Sequence, residues 1–196
     1  MKHFARFARF VLPVLLLTWS AQAQEDAPRR PVISPKNYEV SVRSIGGDLN
    51  SSDDDFAPLL LGNGRVLYFT SNRGGDQDIY SAVQGYNDWE QIQAAGPALN
   101  TPGDEGGTTI TPDGRWMVFT GCDRLGGLGD CDLYIAEYIG GSWRNIRNLG
   151  ATVNSSAWDS QPTLSPDGLM LFFVSERPGG SGGTDIWMTR RSYGGE

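Results

Sequence analysis

The stretch Pro-Asp-Gly-Arg-Trp-Met-Val-Phe-Thr at residues 112–120 decides the fold, because closely similar stretches occur at 62–71 and 166–175. Each stretch joins a tight-turn sequence to a short run of β-branched and aromatic residues, which predicts a strand that follows a hairpin turn. Self-similarity at a fixed period is typical of repeat architectures. We therefore expect three copies of one structural unit.

Each copy continues with an arginine, a Gly-Gly pair and an aspartate before an apolar-aromatic pair. The arginines and aspartates concerned are Arg73 with Asp78, Arg124 with Asp132, and Arg177 with Asp185. The three aspartates are 54 and 53 residues apart, and each begins a run that predicts a third strand. A fourth strand is expected from Trp89 and Trp143, each followed by an alternating run in which Trp and Ile fall on opposing phases.

Four short antiparallel strands in each period of about 40–50 residues form one blade of a β-propeller. The predicted fold class is therefore all-β, a partial β-propeller of three four-stranded antiparallel blades. The repeats cover about residues 50–99, 100–153 and 154–196 within a repeat region at 38–196.

The first residues are expected to lie outside that fold. Lys2, Arg6 and Arg9 precede a short apolar run, and Ala21-Gln22-Ala23 fits a signal-peptidase site. We expect residues 1–23 to be a cleaved signal peptide and 24–37 a linker, so that the mature protein is periplasmic or secreted and has no membrane span. Cysteine is missing from the cleavage site, which disfavours a lipoprotein.

The phase of the repeats suggests how the propeller is completed. The third repeat stops where the next Trp is due, and residues 38–45 resemble the missing fourth strand. Either two copies exchange this strand and close a six-bladed ring, or the chain is a fragment of a longer protein. A propeller typically has four to eight blades, and a terminus in the middle of a blade favours the fragment.

Charge and composition exclude several classes of function. Without residues 1–23, which carry three Lys/Arg and no Asp/Glu, the formal net charge changes from −7 to −10. This acidity disfavours nucleic acid as a partner. His3 is the one histidine and leaves with the signal peptide, which excludes Ser-His-Asp and Cys-His catalysis in the mature chain. Glycosidases that use two carboxylates remain compatible with the sequence.

Cys122 and Cys131 are the two cysteines, and they flank a Gly-rich loop between two predicted strands. Disulfides persist after export, so we expect a bridge that joins the two stems. A redox pair is the alternative, but the spacing is not Cys-X-X-Cys.

The repeat unit resembles the WD-repeat-like propeller repeat of the TolB family. The likeness rests on Pro-Asp-Gly, Leu-Tyr-Phe-Thr-Ser at 67–71, the Arg with Gly-Gly, Asp-Ile-Tyr at 78–80 and the following Trp, and it covers about residues 38–196. The resemblance implies an exported bacterial scaffold that binds protein partners in the cell envelope. The variety most similar to it often precedes an outer-membrane-protein-A-like domain, which this sequence lacks.

The repeated charged residues are expected to have structural roles. Asp78, Asp132 and Asp185 should accept backbone N–H bonds or pair with the repeat arginines, rather than bind a cation or a glycan. Asp113 and Asp167 belong to the Pro-Asp-Gly turns. No cofactor is expected, but residues 53–55, Asp104-Glu105 and Asp159 leave calcium as an alternative. Asp53, Asp104 and Asp159 are taken as equivalent positions.

The aromatic residues are expected to pack between blades, with a sugar-stacking surface as the alternative. The residues concerned are Tyr80, Trp89, Tyr134, Trp143 and Trp187. The leading hypothesis is a non-enzymatic module that binds an envelope protein through the loops at 72–78, 123–132 and 176–185 or through the turns at the opposite end. The alternative is a carboxylate-dependent glycan-binding or glycan-hydrolysing propeller, with Glu137 or Glu176 as candidate acids.

Overall fold

The computed structural model describes residues 41–46 and 48–191, and the described residues from 44 to 191 form one compact unit. The described residues contain strands, turns and irregular segments. The strands are β1 Asp55–Leu60, β2 Val66–Ser71, β3 Asp78–Gln84, β4 Trp89–Ala94, β5 Glu105–Ile110, β6 Trp116–Cys122, β7 Cys131–Ile139, β8 Ser142–Asn148, β9 Asp159–Leu164, β10 Met170–Ser175 and β11 Asp185–Arg190. The signal peptide and linker expected at residues 1–37 lie outside the described residues.

The strands form three antiparallel sheets in which chain neighbours pair. The orders are β1-β2-β3-β4, β5-β6-β7-β8 and β9-β10-β11. The prediction of an all-β, partial propeller is thereby confirmed. In the described chain the third sheet has three strands, not the four expected. Of the fourth strand predicted at 38–45, residues 38–40 lie outside the described residues, and residues 41–46 are not in a strand.

The turn between the first two strands of each sheet is fixed by its own polar side chain. Asp113 accepts hydrogen bonds from the Thr111 hydroxyl and from the backbone N–H of Arg115. Asp167 does the same with Ser165 and the N–H of Leu169. These bonds explain why the pKa of both aspartates is lowered, the hydroxyl bond being the main cause. The two aspartates therefore hold turns, as the sequence predicted.

The fourth strands contain a bulge that the alternating sequence did not predict. Gln91 and Asn145 have φ values of 52° and 53°, and the register of their strands shifts beside them. A bulge adds one residue to one strand, so Trp89 and Ile92 both pack against the same hydrophobic cluster. The expectation that Trp and Ile lie on opposing phases was wrong for this reason.

Neighbouring sheets pack face to face with their first strands inward. β5 contacts β1, β2 and β3 of the first sheet, and β9 contacts β5, β6 and β7 of the second. The cores between sheets are apolar. In the core between the first and second sheets, Tyr68 and Ile79 pack with Met117 and Phe119. In every sheet the loop that joins the second strand to the third lies at one end, called here the loop end. The hairpin turns that join the other consecutive strands lie at the opposite end, called the turn end.

Candidate functional site

The loop end is organised around the three repeat arginines. Their carboxylate partners stand at the start of the first strand of each sheet, 18 or 19 residues earlier in the chain. The pairs are Arg73–Asp55 at 2.7 Å, Arg124–Glu105 at 2.9 Å and Arg177–Asp159 at 2.6 Å. The arginines therefore do not pair with Asp78, Asp132 and Asp185, which was one of the two roles expected for those aspartates.

Each partner carboxylate is also bound by a hydroxyl residue four positions earlier. Ser51 donates its backbone N–H and its hydroxyl to Asp55, at 2.6 and 2.9 Å. Thr101 and Ser155 do the same for Glu105 and Asp159. A buried carboxylate needs several donors to remain ionised, and this short motif supplies them locally.

The hydrogen bonds outweigh burial in setting the pKa of Asp55. Burial alone raises the pKa of this carboxyl, but bonds from Ser71, Arg73 and Ser51 lower it to about 2. The pKa of Asp159 is lowered in the same way, with burial opposed by Ser175, Arg177 and Ser155. Both side chains are therefore ionised, and their ion pairs intact, across the physiological pH range.

Each arginine also lies over two aromatic rings of its sheet. The Arg124 guanidinium carbon is 5.5 Å from the Phe119 ring centre and 4.9 Å from that of Tyr134. Arg73 lies over Phe69 and Tyr80, and Arg177 over Phe173 and Trp187, at similar distances. Stacking and ion pairing together explain why arginine rather than lysine recurs.

The arginines tie this arrangement to the segment that enters each sheet. The guanidinium of Arg73 donates to the backbone carbonyl of Leu49, that of Arg124 to Leu99, and that of Arg177 to Val153. One side chain thus joins the entering segment, the first strand and the aromatic pair. We call this set of contacts the arginine staple.

The aspartates that begin the third strands act on the loops themselves. Asp132 accepts the backbone N–H of Leu128 at 2.6 Å, and Asp185 accepts that of Gly182 at 3.0 Å. These two therefore take the backbone-accepting role expected for them. Asp78 accepts no such loop N–H among the described residues; its Oδ1, like that of Asp132, is buried without a hydrogen-bond partner, and burial with the charges of Asp76 and Glu105 raises its pKa.

The second-sheet loop, residues 123–130, is held both at its base and along its length. Cys122 and Cys131 form the predicted disulfide at its base. Within the loop, the Gly127 N–H bonds the Arg124 carbonyl at 2.9 Å, besides the Leu128 bond to Asp132. Gly129 packs so closely on the next sheet that an added Cβ would stand 2.1 Å from the Ala157 carbonyl oxygen.

This rigid loop presents two apolar side chains to solvent. Leu125 is fully exposed at 104%, and Leu128 is 45% exposed. Exposed leucines in a loop fixed by a disulfide and an arginine staple have no role in the core. Exposed apolar side chains that form a contiguous patch mark sites of protein binding, so the two leucines are the candidate contact residues of this loop. The sequence predicts docking on these loops or on the opposite turns, without distinguishing the two leucines.

Several predicted alternatives can be located in the structure. Tyr80, Tyr134 and Trp143 are buried and Trp89 and Trp187 half-buried, so these rings pack between strands and sheets. Asp104 accepts the backbone N–H of Gln77 at 3.0 Å. Within residues 41–46 and 48–191, no three His, Cys, Asp or Glu side chains converge as metal ligands do. Calcium stays an untested prediction.

The glycosidase alternative named Glu137 as a candidate acid. Glu137 pairs with Arg115 at 2.8 Å and accepts a bond from Asn145 at 3.2 Å. The Arg115 bond is the main cause of its lowered pKa, whereas a general acid needs a raised one. Glu176 accepts a weak hydrogen bond from Thr184 at 3.5 Å.

The acidic residues at equivalent positions differ from those expected. The sequence predicts that Asp53 and Asp104 are equivalent to Asp159, but the structure makes Asp55, Glu105 and Asp159 equivalent through their staples. Neighbouring acidic residues at 53–55 and 104–105 made the choice ambiguous. The Ser or Thr four positions before each true partner was the signal that could have decided it.

The described ranges contain no helix long and apolar enough to cross a lipid bilayer. No protein-family model matches the sequence. A curated relative, the protein TolB homolog of Chlorobium chlorochromatii (strain CaD3), is 27% identical over 187 residues. The match covers 74% of this chain, which spans about 40% of the length of that relative.

Solved structures with a related arrangement of strands include TolB from Acinetobacter baumannii, with 24% identity and a TM-score of 0.49 over 68% of this chain and 29% of that one. A putative TolB from Agrobacterium tumefaciens has 22% identity and a TM-score of 0.44, over 65% of this chain and 39% of that one. These likenesses are distant, so the fold assignment rests on the sheets described above. The resemblance to TolB-type β-propeller repeats expected from the sequence is confirmed by the curated relative and the three sheets together.

Proposed function

We propose that this chain is an exported, non-enzymatic module of the cell envelope that binds a protein partner through the loop at 123–130. The single observation that carries the proposal is the exposure of Leu125 and Leu128 on a loop whose backbone is fixed at several points. A rigid loop loses little conformational entropy on binding, so its exposed apolar side chains contribute most of their burial energy to affinity.

The TolB resemblance supports the location and the class of partner. The curated relative is a TolB homolog, and the amino-terminal sequence fits a signal peptide. Export is tested by fractionating cells and sequencing the purified protein from its N-terminus. A mature chain that begins at Gln24 in the periplasmic fraction supports the proposal, whereas an uncleaved cytoplasmic chain contradicts it.

Binding is tested by site-specific photo-crosslinking in living cells. A photoreactive amino acid at position 125 is expected to trap one envelope protein, and the pair Leu125→Ser and Leu128→Ser, made together, is expected to weaken binding of that protein by more than tenfold. Tyr86 provides a matched control, since it is 98% exposed but lies in a turn at the turn end. Equal trapping from positions 125 and 86 would contradict the loop as the binding surface.

The homodimer, one of the two alternatives that the sequence leaves open, is a separate proposal. It concerns the outer faces of the first and third sheets, and not the loop at 123–130.

A further inference from the structure

Asparagine side chains join each sheet to the segment that leads into the next. The Asn100 side chain accepts the backbone N–H of Ile79 and donates to its carbonyl oxygen, both at 3.0 Å. Asn154 makes the same two bonds with Leu133, both at 2.9 Å. Ile79 and Leu133 are the second residues of β3 and β7, and both are fully buried. We call this contact the asparagine clamp.

The third sheet has the receiving half of a clamp. Ile186 is the second residue of β11 and lies opposite Val174, as Ile79 lies opposite Thr70. Its backbone N–H and carbonyl therefore point away from β10, as those of Ile79 point away from β2. Unlike Ile79, it is 78% exposed, and Met188 beside it on the same face is 54% exposed. This face is apolar and uncovered within the described residues.

The first sheet has the donating half. Asn50 precedes Ser51 as Asn100 precedes Thr101, so it stands at the clamp position. Its side chain is exposed and bonds Ser44 and the carbonyl of Ile45, instead of the backbone of a third strand. Leu60 is 52% exposed although its counterpart Ile110 packs in the core between two sheets. The segment 41–46 is exposed and outside any strand.

We propose that these two halves meet between two copies of this chain, with Asn50 of one copy clamping the Ile186 backbone of the other. The occupant is a second copy because both halves of a contact made twice inside the chain are present and, among residues 41–46 and 48–191, unfilled. Residues 41–46 of the incoming copy would then run beside β11, where β4 and β8 run beside β3 and β7. A contact between unlike surfaces closes a ring or extends a filament, and two copies of three sheets fall within the usual propeller size.

One internal bond is missing from the contact between copies. The Thr70 hydroxyl accepts the Gly107 N–H, and the Thr120 hydroxyl accepts that of Gln161, both at 3.3 Å. The corresponding residue of the third sheet is Val174, which has no acceptor. The matching donor is Ala57, whose φ of 50° equals that of Gly107 and Gln161 within a few degrees. The contact is therefore expected to be weaker than the internal ones, and a threonine at 174 should strengthen it.

The experiment measures the mass in solution of the full chain, purified after expression with its own amino terminus. Light scattering and sedimentation should show a dimer in concentration-dependent exchange with monomer. Asn50→Ala is expected to raise the dissociation constant about tenfold, and Val174→Thr to lower it threefold to tenfold, because one hydrogen bond contributes about 0.5–1.5 kcal/mol. Ile186→Asp should abolish the dimer, whereas Tyr86→Asp, a change at another exposed hydrophobic residue, should leave it intact.

A second readout identifies the surfaces directly. Chains with Asn50→Cys and chains with Ile186→Cys, mixed and mildly oxidised, should give a cross-linked dimer, and either chain alone should give much less. A monomer at all concentrations, a dimer indifferent to Ile186→Asp, or a larger assembly that forms without these surfaces would overturn the inference. Leu125→Ser should leave the dimer unchanged, so failure here and failure of the protein-binding role are distinguishable.

Discussion

Glu105 lies opposite Gly121 in the register of β5 and β6. At the same register position the first sheet has Asp55 opposite Ser71, and the third has Asp159 opposite Ser175. In those sheets the serine hydroxyl accepts a bond from the staple arginine at 2.8 Å. In the second sheet a Cβ at position 121 would stand 2.5 Å from the Arg124 Cδ. The second sheet therefore combines a longer acid, Glu105, with a glycine in place of the serine. The glycine leaves room for the Arg124 stem, and the longer acid reaches the guanidinium in that position.

The two positions are expected to be energetically coupled. Glu105→Asp shortens the acid and withdraws it from Arg124, and Gly121→Ser displaces the Arg124 stem, so each change alone should lower the free energy of unfolding by about 1–3 kcal/mol. The double variant recreates the arrangement of the other sheets and should recover at least half of the summed loss. Urea denaturation measures all three. Losses that simply add would show that the positions are independent.

Arg124 and Arg115 allow a buried and an exposed ion pair to be compared. Both pair with a glutamate, at 2.9 and 2.8 Å, but the Arg124 side chain is 11% exposed and that of Arg115 is 61% exposed. Arg124→Ala leaves the buried Glu105 carboxylate without its cation and should cost about 3–5 kcal/mol. Arg115→Ala should cost less than about 1 kcal/mol. Thermal and urea unfolding measure both, and equal losses would contradict the structural role of the staple.

Stability is expected to fall in acid because of the staple carboxylates. The pKa of Asp55 is about 2 in the folded chain against 3.8 for the ordinary side chain, and that of Asp159 is also lowered. A carboxyl with a lowered folded pKa binds protons more readily when unfolded, so its contribution is complete above about pH 4 and is lost as the pH falls through 3.8 towards 2. The free energy of unfolding, measured by urea titration from pH 6 to pH 2, should decline in this window.

Asp55→Asn supplies the control for that pH dependence. It removes one titrating group, so the variant should be less stable than the parent at pH 6 and should lose less stability between pH 4 and pH 2. Parallel curves for parent and variant would show that other groups cause the acid sensitivity.

The sequence was sufficient for the strands but not for the contacts of their side chains. Periodic apolar runs and turn dipeptides predict strands because they depend on residues close together in the chain. The bulge at Gln91 depends on how β4 pairs with β3, and the alternation of polar and apolar residues along β4 does not predict it. The true partner of Arg73 is 18 residues away, and nearer acidic residues competed for the assignment.

The asparagine clamp shows the same limit in another form. Asn50, Asn100 and Asn154 were recognisable from the sequence as a recurring position. Their function was not, because the bonds join the side chain of one segment to the backbone of a strand 21 residues earlier. Any residue type can supply the backbone groups that the asparagine binds, so the sequence does not identify the partner strand. The contact becomes visible only when the positions of the sheets are known.

The disulfide is expected to stabilise the second sheet without determining its fold. Cys122 and Cys131 face each other in the β6–β7 register, so the pairing of the strands holds them together even when they are reduced. The Cys122→Ser and Cys131→Ser double variant should lose about 2–3 kcal/mol, the chain-entropy value for a short loop. Urea unfolding measures the loss of stability, and circular dichroism measures whether the strand content is retained. A variant that lost its strand content would show that the bridge is needed for folding.

The asparagine clamp predicts a contrast between two residues of the same type. Asn154 is 2% exposed, and Asn154→Ala leaves the Leu133 N–H and carbonyl without those partners in a buried position, which should cost about 2–4 kcal/mol. Asn50→Ala removes only exposed bonds within the chain, so at protein concentrations where the chain is monomeric it should change the unfolding free energy by less than about 0.5 kcal/mol. Urea denaturation at two protein concentrations separates this effect from dimerisation. Equal losses at low concentration would mean that Asn50 already has a clamp partner within its own chain, which the free edge of the third sheet argues against.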